Sequence, residues 1–229
     1  MSNTASAATG IEGKVWLVTG AARGLGLCLS RRLSAMGARV LALSRDPRPM
    51  SGLRGVTHVP YDQASEAAIL AAARAVACPI DYVIHNAAIR GDTGGLASLT
   101  ADHLAQVMRI NVAGPLVLTR ALLPRMAPGA VLAFISSRAG SVTEGRDPDG
   151  DYAYCLSKAA LNRAVAKLAD DLPYRSLALH PGWIATDMGG PEAPGDPDLA
   201  AQEIIALLTL ADGPQPGSLV DTAGRPIAP

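Results

Sequence analysis

A tyrosine and a lysine, Tyr154 and Lys158, lie four residues apart in the chain. On a helix this spacing places both side chains on one face. An ammonium beside a phenol favours the phenolate, so we expect Lys158 to lower the pKa of Tyr154 from its ordinary value of about 10. Tyr154 could then act as a general acid or base toward a carbonyl or alcohol oxygen. Tyr152 lies six residues from Lys158, off its face, and is not favoured for this role.

A glycine-rich segment, residues 19–26, follows a short apolar run and precedes a helical pattern. Gly20 allows a tight turn, Gly24 lets the backbone approach a pyrophosphate, and Gly26 lets the helix pack against the strand. The start of the helix then offers free N–H groups to phosphates. The segment predicts a dinucleotide-binding turn, and the alternative is an ordinary glycine-rich turn between a strand and a helix.

The end of the second predicted strand bears on the choice between NADP(H) and NAD(H). An acid at this position binds the ribose hydroxyls of NAD, but here the strand ends in Ser44 and Arg45. Arg45 could bind a 2′-phosphate through charge-assisted hydrogen bonds, and Arg23 could face the same group. Asp46 is the counter-evidence. The pattern favours NADP(H), with NAD(H) as the alternative.

Short apolar runs alternate with longer helical patterns along the chain. We predict strands at residues 15–19, 40–43, 57–59, 82–85, 130–136, 177–180 and 218–221. We predict helices over residues 25–36, 65–76, from Thr100 onward, 152–171 and 200–210, with Ser65 and Thr100 as N-caps. This alternation predicts an α/β fold, a single Rossmann-type doubly wound parallel sheet of about seven strands with helices on both faces.

The ends of the strands are expected to border the ligand site. Ser137 follows the fifth predicted strand, where its hydroxyl could hold the substrate oxygen. Two irregular segments lie at the same edge, an acidic loop at residues 144–151 and a proline-containing loop at residues 189–197. We expect the first to be solvated and the second to be a partly rigid lid over an open pocket. Residues 13–229 are expected to form one domain, and residues 1–12 a flexible leader.

Composition narrows the range of partners. The chain of 229 residues has a formal net charge of zero, so nothing suggests nucleic acid or an anionic membrane as a partner. No run approaches the ~20 apolar residues of a membrane span. The three cysteines form no metal-ligand spacing, and neither do the histidines. We expect a cytoplasmic protein with a small-molecule substrate, reduced cysteines and no metal.

These motifs resemble those of the short-chain dehydrogenase/reductase family over nearly the whole chain. The family's Asn-Ala-Gly motif stands here as Asn86-Ala87-Ala88, with alanine in place of glycine. The resemblance implies a catalytic tetrad of Asn111, Ser137, Tyr154 and Lys158. Tyr154 would transfer the proton, Lys158 would hold the nicotinamide ribose, Asn111 would support a water relay, and Ser137 would orient the carbonyl.

The resemblance also implies a set of cofactor contacts. Asp62 matches the family's adenine-binding aspartate, and Pro181-Gly182 with Thr186 matches the segment that holds the nicotinamide ring. The implied cofactor-binding residues are Gly20, Arg23, Gly24, Leu25, Gly26, Ser44, Arg45, Asp62, Asn86, Ala87, Ala88, Tyr154, Lys158, Pro181, Gly182, Ile184 and Thr186.

A narrower likeness is to the C-factor and Sniffer-type carbonyl reductases, whose long interval between serine and tyrosine is present here between Ser137 and Tyr154. It implies NADP(H)-dependent reduction of an aldehyde, ketone, diketone or quinone. An alcohol dehydrogenase working in the oxidative direction and a dinucleotide-binding regulatory protein remain alternatives. The family also implies a homodimer or homotetramer built on the helices that begin near Thr100 and Tyr152.

Overall fold

The computed structural model describes residues 10–91, 93–145 and 151–229. Seven strands form one parallel sheet in the order β3-β2-β1-β4-β5-β6-β7. They are β1 (Val15–Thr19), β2 (Arg39–Ser44), β3 (Val56–Pro60), β4 (Ile80–His85), β5 (Met126–Ile135), β6 (Arg175–His180) and β7 (Leu219–Asp221). The predicted doubly wound sheet is therefore confirmed. The order reverses between β1 and β4, and ligands of such sheets bind at this crevice.

Helices cover both faces of the sheet. They are α1 (Gly24–Ala35), α2 (Glu66–Ala75), α3 (Ala101–Met108), α4 (Gly114–Leu122), α5 (Tyr152–Asp171) and α6 (Pro197–Leu208). One apolar cluster lies under α1 and α6, and a second lies under α2, α4 and α5. Every residue of β1 is buried, as expected for a strand covered on both faces. Within the described parts of the chain, no helix is long and apolar enough to cross a bilayer.

Several predicted boundaries were wrong. The predicted helix at 200–210 begins at Pro197, because Asp196 caps it by accepting a hydrogen bond from the Asp198 N–H. The fifth strand runs from Met126 to Ile135, so it begins earlier and ends one residue sooner than predicted. The helix from Thr100 is interrupted by a π-helical segment, Arg109–Ala113, before it continues as α4.

Parts of the predicted leader and of the acidic loop lie outside the described residues. Residues 1–9 of the predicted leader lie outside the described residues, but Ile11 is buried in the core, so domain packing extends beyond the predicted boundary at residue 13. Residues 146–150 of the acidic loop also lie outside the described residues. The prediction of a solvated loop is wrong for its last residue, Asp151, because this side chain is buried. The two predicted caps are confirmed, since Ser65 Oγ accepts from the Ala68 N–H and Thr100 Oγ1 from the His103 N–H.

Candidate active site

The glycine-rich turn connects β1 to α1 in a conformation that glycine is needed to make. Gly20 and Gly24 have φ angles of +69° and +50°, in the left-handed region. A Cβ at Gly26 would overlap the carbonyl oxygen of Gly20 and lie 2.6 Å from Asn86 Nδ2. The turn therefore brings α1 as close to the neighbouring loop as the backbone allows, which is the arrangement required of a dinucleotide turn.

The first turn of α1 is open to an anion. Arg23 is the N-cap residue and gives no side-chain cap to the helix, and the first turn contains no acid. The other helices that begin after a loop are capped by side chains, namely those of Ser65, Thr100, Asp151 and Asp196. The N–H groups at the start of α1 are thus the ones left for a bound phosphate, and the residues present fit a dinucleotide.

Arg23 itself points toward the loop that follows β6. Its guanidinium Nη1 lies 3.0 Å from Asp187 Oδ2, and both side chains are exposed. Thr186 lies beside the same turn, because a Cβ at Gly24 would be 3.3 Å from Thr186 Cγ2. The structure therefore brings the predicted ring-holding segment against the glycine turn, and Arg23 contacts this segment rather than the end of β2.

The loop after β4 is tied to the end of β1. The backbone N–H groups of Asn86 and Ala87 each donate to Thr19 Oγ1 at 3.0 Å, and Asn86 Nδ2 donates to the Thr19 carbonyl oxygen at 2.9 Å. Gln63, which the sequence analysis missed, donates from Nε2 to the carbonyl oxygens of Ala87 and Ile110, both at 2.7 Å. These bonds fix the Asn-Ala-Ala loop relative to the glycine turn and the π-helical segment.

The end of β2 places charged groups around the predicted 2′-phosphate position. Arg45 is exposed, and it makes no ion pair with any described residue. Asp46 is held by Arg48, whose Nε and Nη2 donate to both carboxylate oxygens at 2.8 to 3.1 Å. This pairing lowers the pKa of Asp46 to about 2. Ser44 Oγ donates to the Asp46 carbonyl oxygen, and Asp62 Oδ1 accepts from the Ala64 N–H at 3.0 Å.

Tyr154, Lys158 and Ser137 meet at the carboxyl edge of the sheet. The first two lie on α5, and Ser137 lies two residues beyond the end of β5. Lys158 Nζ is 5.4 Å from the centroid of the Tyr154 ring and donates at 2.8 Å to the Ile135 carbonyl oxygen. Ser137 is close enough to the Tyr154 phenol for hydrogen bonding by its side chain to lower the pKa of the phenol. The serine, the phenol and the ammonium predicted from the sequence thus form one cluster.

The prediction that Lys158 lowers the pKa of the Tyr154 hydroxyl was wrong. Burial raises the pKa of Tyr154 to about 12, while the hydrogen bond with Ser137 and the charge of Arg90 lower it in part. Burial also lowers the pKa of Lys158 to about 8. Both groups are removed from water, which disfavours both charged forms, and the Lys158 ammonium lies over the ring and is directed to Ile135 rather than to the phenol oxygen.

Asn111 lies in the π-helical segment and is almost fully buried. Its side-chain amide accepts from the Ile89 N–H at 2.9 Å and donates to the Ile89 carbonyl oxygen at 2.8 Å. Nδ2 also donates to Ser157 Oγ at 3.0 Å, and Ser157 Oγ donates to the Tyr154 carbonyl oxygen at 2.8 Å. Asn111 therefore links the loop after β4 to the helix that carries Tyr154.

Two further residues near Tyr154 were missed in the sequence. Asp151 caps α5, with Oδ1 accepting from the Tyr154 N–H at 3.0 Å, and its Oδ2 accepts from Arg90 Nε at 3.1 Å. The Asp151 side chain is 0% exposed and that of Arg90 is 27% exposed. An aspartate three residues before Tyr154 is an N-cap pattern and could have been recognised, but its pairing with Arg90 depends on the fold.

The loop after Ser137 is anchored by residues from the far end of the chain. Ser141 Oγ donates to the Ala228 carbonyl oxygen at 2.5 Å, and the Thr143 N–H donates to the Pro229 carbonyl oxygen at 3.0 Å. Ser137 caps the short 3₁₀ turn Arg138–Gly140 at the start of this loop. These contacts fix the loop that follows Ser137.

The residues that follow β6 border the candidate site on its remaining side. Gly182 has a φ of +86°, and Thr186 Oγ1 accepts from the Gly189 N–H at 3.2 Å. Trp183 is 57% exposed, and its Nε1 donates to the Gly189 carbonyl oxygen. A surface recess runs along this segment, and its lining residues are Pro181, Gly182, Trp183, Ile184, Pro194, Gly195, Asp196, Leu199, Ala200 and Glu203. Because neither Tyr154 nor Ser137 lines it, the recess is distinct from the reacting cluster.

His180, at the end of β6, makes a structural contact. Its Nδ1 accepts from the Arg138 N–H at 3.3 Å, and burial lowers its pKa to about 4. Among the described residues, no group of three His, Cys, Asp or Glu side chains is placed to hold a metal ion. The site is therefore a tyrosine, lysine and serine cluster beside a dinucleotide turn.

Comparisons with known proteins agree with this geometry. Residues 14–196 match the family model described as short chain dehydrogenase. C-signal of Myxococcus xanthus is 39% identical over 143 residues, which are 60% of this chain and 84% of that protein. The carbonyl reductase Sniffer of D. melanogaster has a similar fold, with 24% identity and a TM-score of 0.86 over 95% of this chain and 99% of that chain. NADPH-bound carbonyl reductase from chicken fatty liver is 27% identical, with a TM-score of 0.85 over 95% and 94% of the two chains. The resemblance read from the motifs is confirmed.

Proposed function

Because the chain belongs to the short-chain dehydrogenase/reductase family, we propose that it is an NADP(H)-dependent oxidoreductase that reduces a carbonyl group to an alcohol. The observation that carries this proposal is the placement of Tyr154, Lys158 and Ser137 at one edge of the sheet, with Lys158 Nζ 5.4 Å from the centroid of the tyrosine ring. A phenol and a hydroxyl directed at one point can bind one oxygen atom from two sides. The glycine turn at the same edge of the sheet would hold the cofactor beside that oxygen.

The reaction needs one hydride and one proton. NADPH, held by the glycine turn at residues 19–26, would supply the hydride to the carbonyl carbon and would be oxidised to NADP⁺. Tyr154 gives its hydroxyl proton to the carbonyl oxygen, so that the carbonyl becomes an alcohol and the tyrosine a phenolate. Ser137 holds the oxygen during this transfer, and the phenolate takes a proton back from solvent before the next turnover.

The high pKa of Tyr154 is consistent with a proton donor. At neutral pH the phenol is protonated, as reduction requires, since burial raises its pKa to about 12. Oxidation of an alcohol by the same site would require the phenolate instead. A phenol that is protonated at neutral pH therefore suits the reductive direction, and the oxidative direction would gain at alkaline pH.

We assign the cofactor as NADP(H) from the end of β2. Asp46, which would repel a 2′-phosphate, is neutralised by its bidentate pair with Arg48. Arg45 is exposed and has no ion-pair partner among the described residues, so it is available to an anion. Arg23 contacts Asp187 and would have to turn away from it to reach the same phosphate. The NADPH-bound relative from chicken fatty liver supports this assignment.

We propose that the loop at residues 189–197 is a partly rigid lid over an open substrate pocket. The Gly195 N–H donates to the Trp183 carbonyl oxygen at 3.0 Å, and the Ala185 N–H donates to that of Gly195 at 2.8 Å. Ala193 is buried. These bonds tie the loop back to the segment after β6. Substrates would enter beside this loop, and hydrogen exchange that is equal with and without cofactor would count against a lid.

We propose a homodimer or homotetramer built on the outer face of α5. Tyr152 and Leu156, four residues apart on this helix, are 45% and 49% exposed. Large apolar side chains that share an exposed helix face are typical of a covered surface. A Leu156→Glu variant should lower the mass measured by light scattering, and an unchanged mass would exclude this face as the interface.

The direct test is turnover. Purified protein is mixed with NADPH or NADH and a panel of aldehydes, ketones, diketones and quinones, and the loss of cofactor absorbance is followed. We expect turnover with NADPH that exceeds turnover with NADH at equal concentration. Absence of turnover with every carbonyl and every alcohol tested, in a protein that binds NADPH, would overturn the proposal and favour a regulatory dinucleotide-binding protein.

A further inference from the structure

An ion pair with a buried carboxylate contacts the backbone of Tyr154, the proposed proton donor. Arg90 Nε donates to Asp151 Oδ2 at 3.1 Å, and the Asp151 side chain is 0% exposed. Removing a carboxylate from water costs several kcal/mol unless its partners replace the lost hydration. Its partners include Arg90 on one oxygen and the Tyr154 N–H on the other. The pair is therefore built around the tyrosine backbone and is not a solvated surface contact.

The pair belongs to a closed circuit of contacts around Tyr154. Arg90 follows Ile89, which clamps the amide of Asn111 through its own N–H and carbonyl groups. Asn111 donates to Ser157, and Ser157 donates to the carbonyl oxygen of Tyr154. Asp151 completes the circuit by binding Arg90 and the Tyr154 N–H. Hydrogen bonds thus connect both the N–H and the carbonyl group of Tyr154 to the loop after β4.

We propose that Arg90 and Asp151 are positioning residues for the reaction, which orient Tyr154 and balance the charge near its hydroxyl so that the proton is held with the right strength. This inference rests on the proposed carbonyl reduction, in which Tyr154 is the acid. Neither residue needs to touch the substrate. Their opposite charges give them opposite effects on the phenol, which a purely structural role would not do.

The charged and titratable groups around Tyr154 come from three parts of the chain. The Arg90 charge lowers the pKa of Tyr154, whereas the charge of Asp151 and the thiol of Cys155 raise it. Lys158 lies over the ring, and the Ser137 side chain hydrogen-bonds the phenol. Removal of Arg90 takes away the charge that lowers the pKa of Tyr154, and neutralisation of Asp151 takes away a charge that raises it.

Three variants separate charge from structure, namely Arg90→Gln, Asp151→Asn and the double variant. Asparagine keeps a side-chain oxygen for the Tyr154 N–H, so Asp151→Asn removes the charge while it preserves the cap. We expect the pKa of Tyr154 to rise by roughly half a unit in Arg90→Gln and to fall by roughly half a unit in Asp151→Asn. The double variant should return close to wild type.

The kinetic readout is alcohol oxidation with NADP⁺, which requires the phenolate, measured across a pH series. At a fixed pH below the midpoint, half a unit corresponds to about a threefold change in the phenolate fraction. Arg90→Gln should therefore oxidise the alcohol about threefold more slowly and Asp151→Asn about threefold faster. Similar losses in both single variants with an unchanged pH profile would overturn the inference.

A matched control pair exists elsewhere in the fold. Asp81 also accepts a backbone N–H, that of Val15, and pairs with a cation, Lys14, at 2.9 Å. Lys14→Gln and Asp81→Asn should leave the pH profile unchanged, because this pair lies at the opposite, amino-terminal edge of β1. A shift of the profile in these controls would contradict the inference by removing its specificity for the pair beside Tyr154.

A second readout separates this inference from the proposed function. Isotope-labelled tyrosine, with the Tyr154 resonance identified by its absence in Tyr154→Phe, reports ionisation of the phenol by NMR without substrate or turnover. Opposite shifts in Arg90→Gln and Asp151→Asn would support the charge pair even if no substrate were turned over. Identical titration in wild type and both variants would overturn it even in an active enzyme.

Discussion

Lys158 Nζ donates a hydrogen bond of 2.8 Å to the carbonyl oxygen of Ile135, the last residue of β5. This contact joins the helix that carries Tyr154 to the strand that leads to Ser137. It also keeps a charged side chain in a place where only 2% of the residue is exposed. A lysine is rarely buried in this way without a strong reason, and the proposed reaction provides one.

Burial of Lys158 should reduce the stability of the fold at neutral pH. The pKa falls from 10.5 to about 8, so between these values the unfolded chain binds more protons than the folded protein, and stability rises with pH across this window. We expect Lys158→Met to be more stable than wild type at pH 7 by about 1–2 kcal/mol, after the loss of the bond to Ile135 is counted.

Urea unfolding of both proteins at pH 7 and at pH 10 measures this difference. The advantage of Lys158→Met should shrink at the higher pH, and its turnover should be lost throughout. A variant that is less stable than wild type at pH 7 would show that the ammonium is better compensated in the fold than its burial indicates.

Gly26 is expected to tolerate no side chain. A Cβ there would overlap the Gly20 carbonyl oxygen and press on Asn86 Nδ2. Gly26→Ala should therefore cost about 2–4 kcal/mol in stability and weaken NADPH binding at least about tenfold. Thermal unfolding and cofactor fluorescence measure the two effects. Gly10→Ala is the control, because a Cβ at Gly10 meets nothing within 4 Å, and an equal effect of the two changes would contradict the packing argument.

Much of this architecture was predictable because local chemistry determines it. The apolar runs gave all seven strands, and β1 was placed at the residues where it lies. The spacing of Tyr154 and Lys158 requires only that the segment be helical, so the pair could be recognised before the fold was known. Ser65 and Thr100 accept hydrogen bonds from N–H groups three residues further along the chain, and such local contacts can be predicted from the sequence.

The remaining features depend on contacts between distant segments. Arg90 and Asp151 are 61 residues apart, and nothing local to either predicts the pair. The pKa of Tyr154 could not be read from its neighbour at Lys158, because the dominant cause is burial by the whole fold. Similarly, Arg23 was expected at the 2′-phosphate, but it contacts Asp187, which is 164 residues away.

Arg45 is predicted to determine the preference for NADPH. Arg45→Ala removes a charge available to the 2′-phosphate while it leaves the Asp46–Arg48 pair intact. We expect the KM for NADPH to rise about tenfold, equivalent to one charge-assisted hydrogen bond, with little change for NADH. Arg54→Ala is the control, since Arg54 is an exposed arginine that follows the short 3₁₀ segment Arg48–Met50 after β2. An equal rise in KM for NADPH and NADH would show that Arg45 does not act through the 2′-phosphate.

The central claim is that Tyr154 transfers the proton, and Tyr154→Phe tests it most directly. Phenylalanine keeps the ring beneath Lys158 and removes only the hydroxyl that bonds Ser137. NADPH binding, measured by fluorescence, should stay within about threefold of wild type, while kcat for carbonyl reduction should fall at least about 100-fold. A kcat within about tenfold of wild type, with cofactor binding unchanged, would contradict the account and require another proton donor.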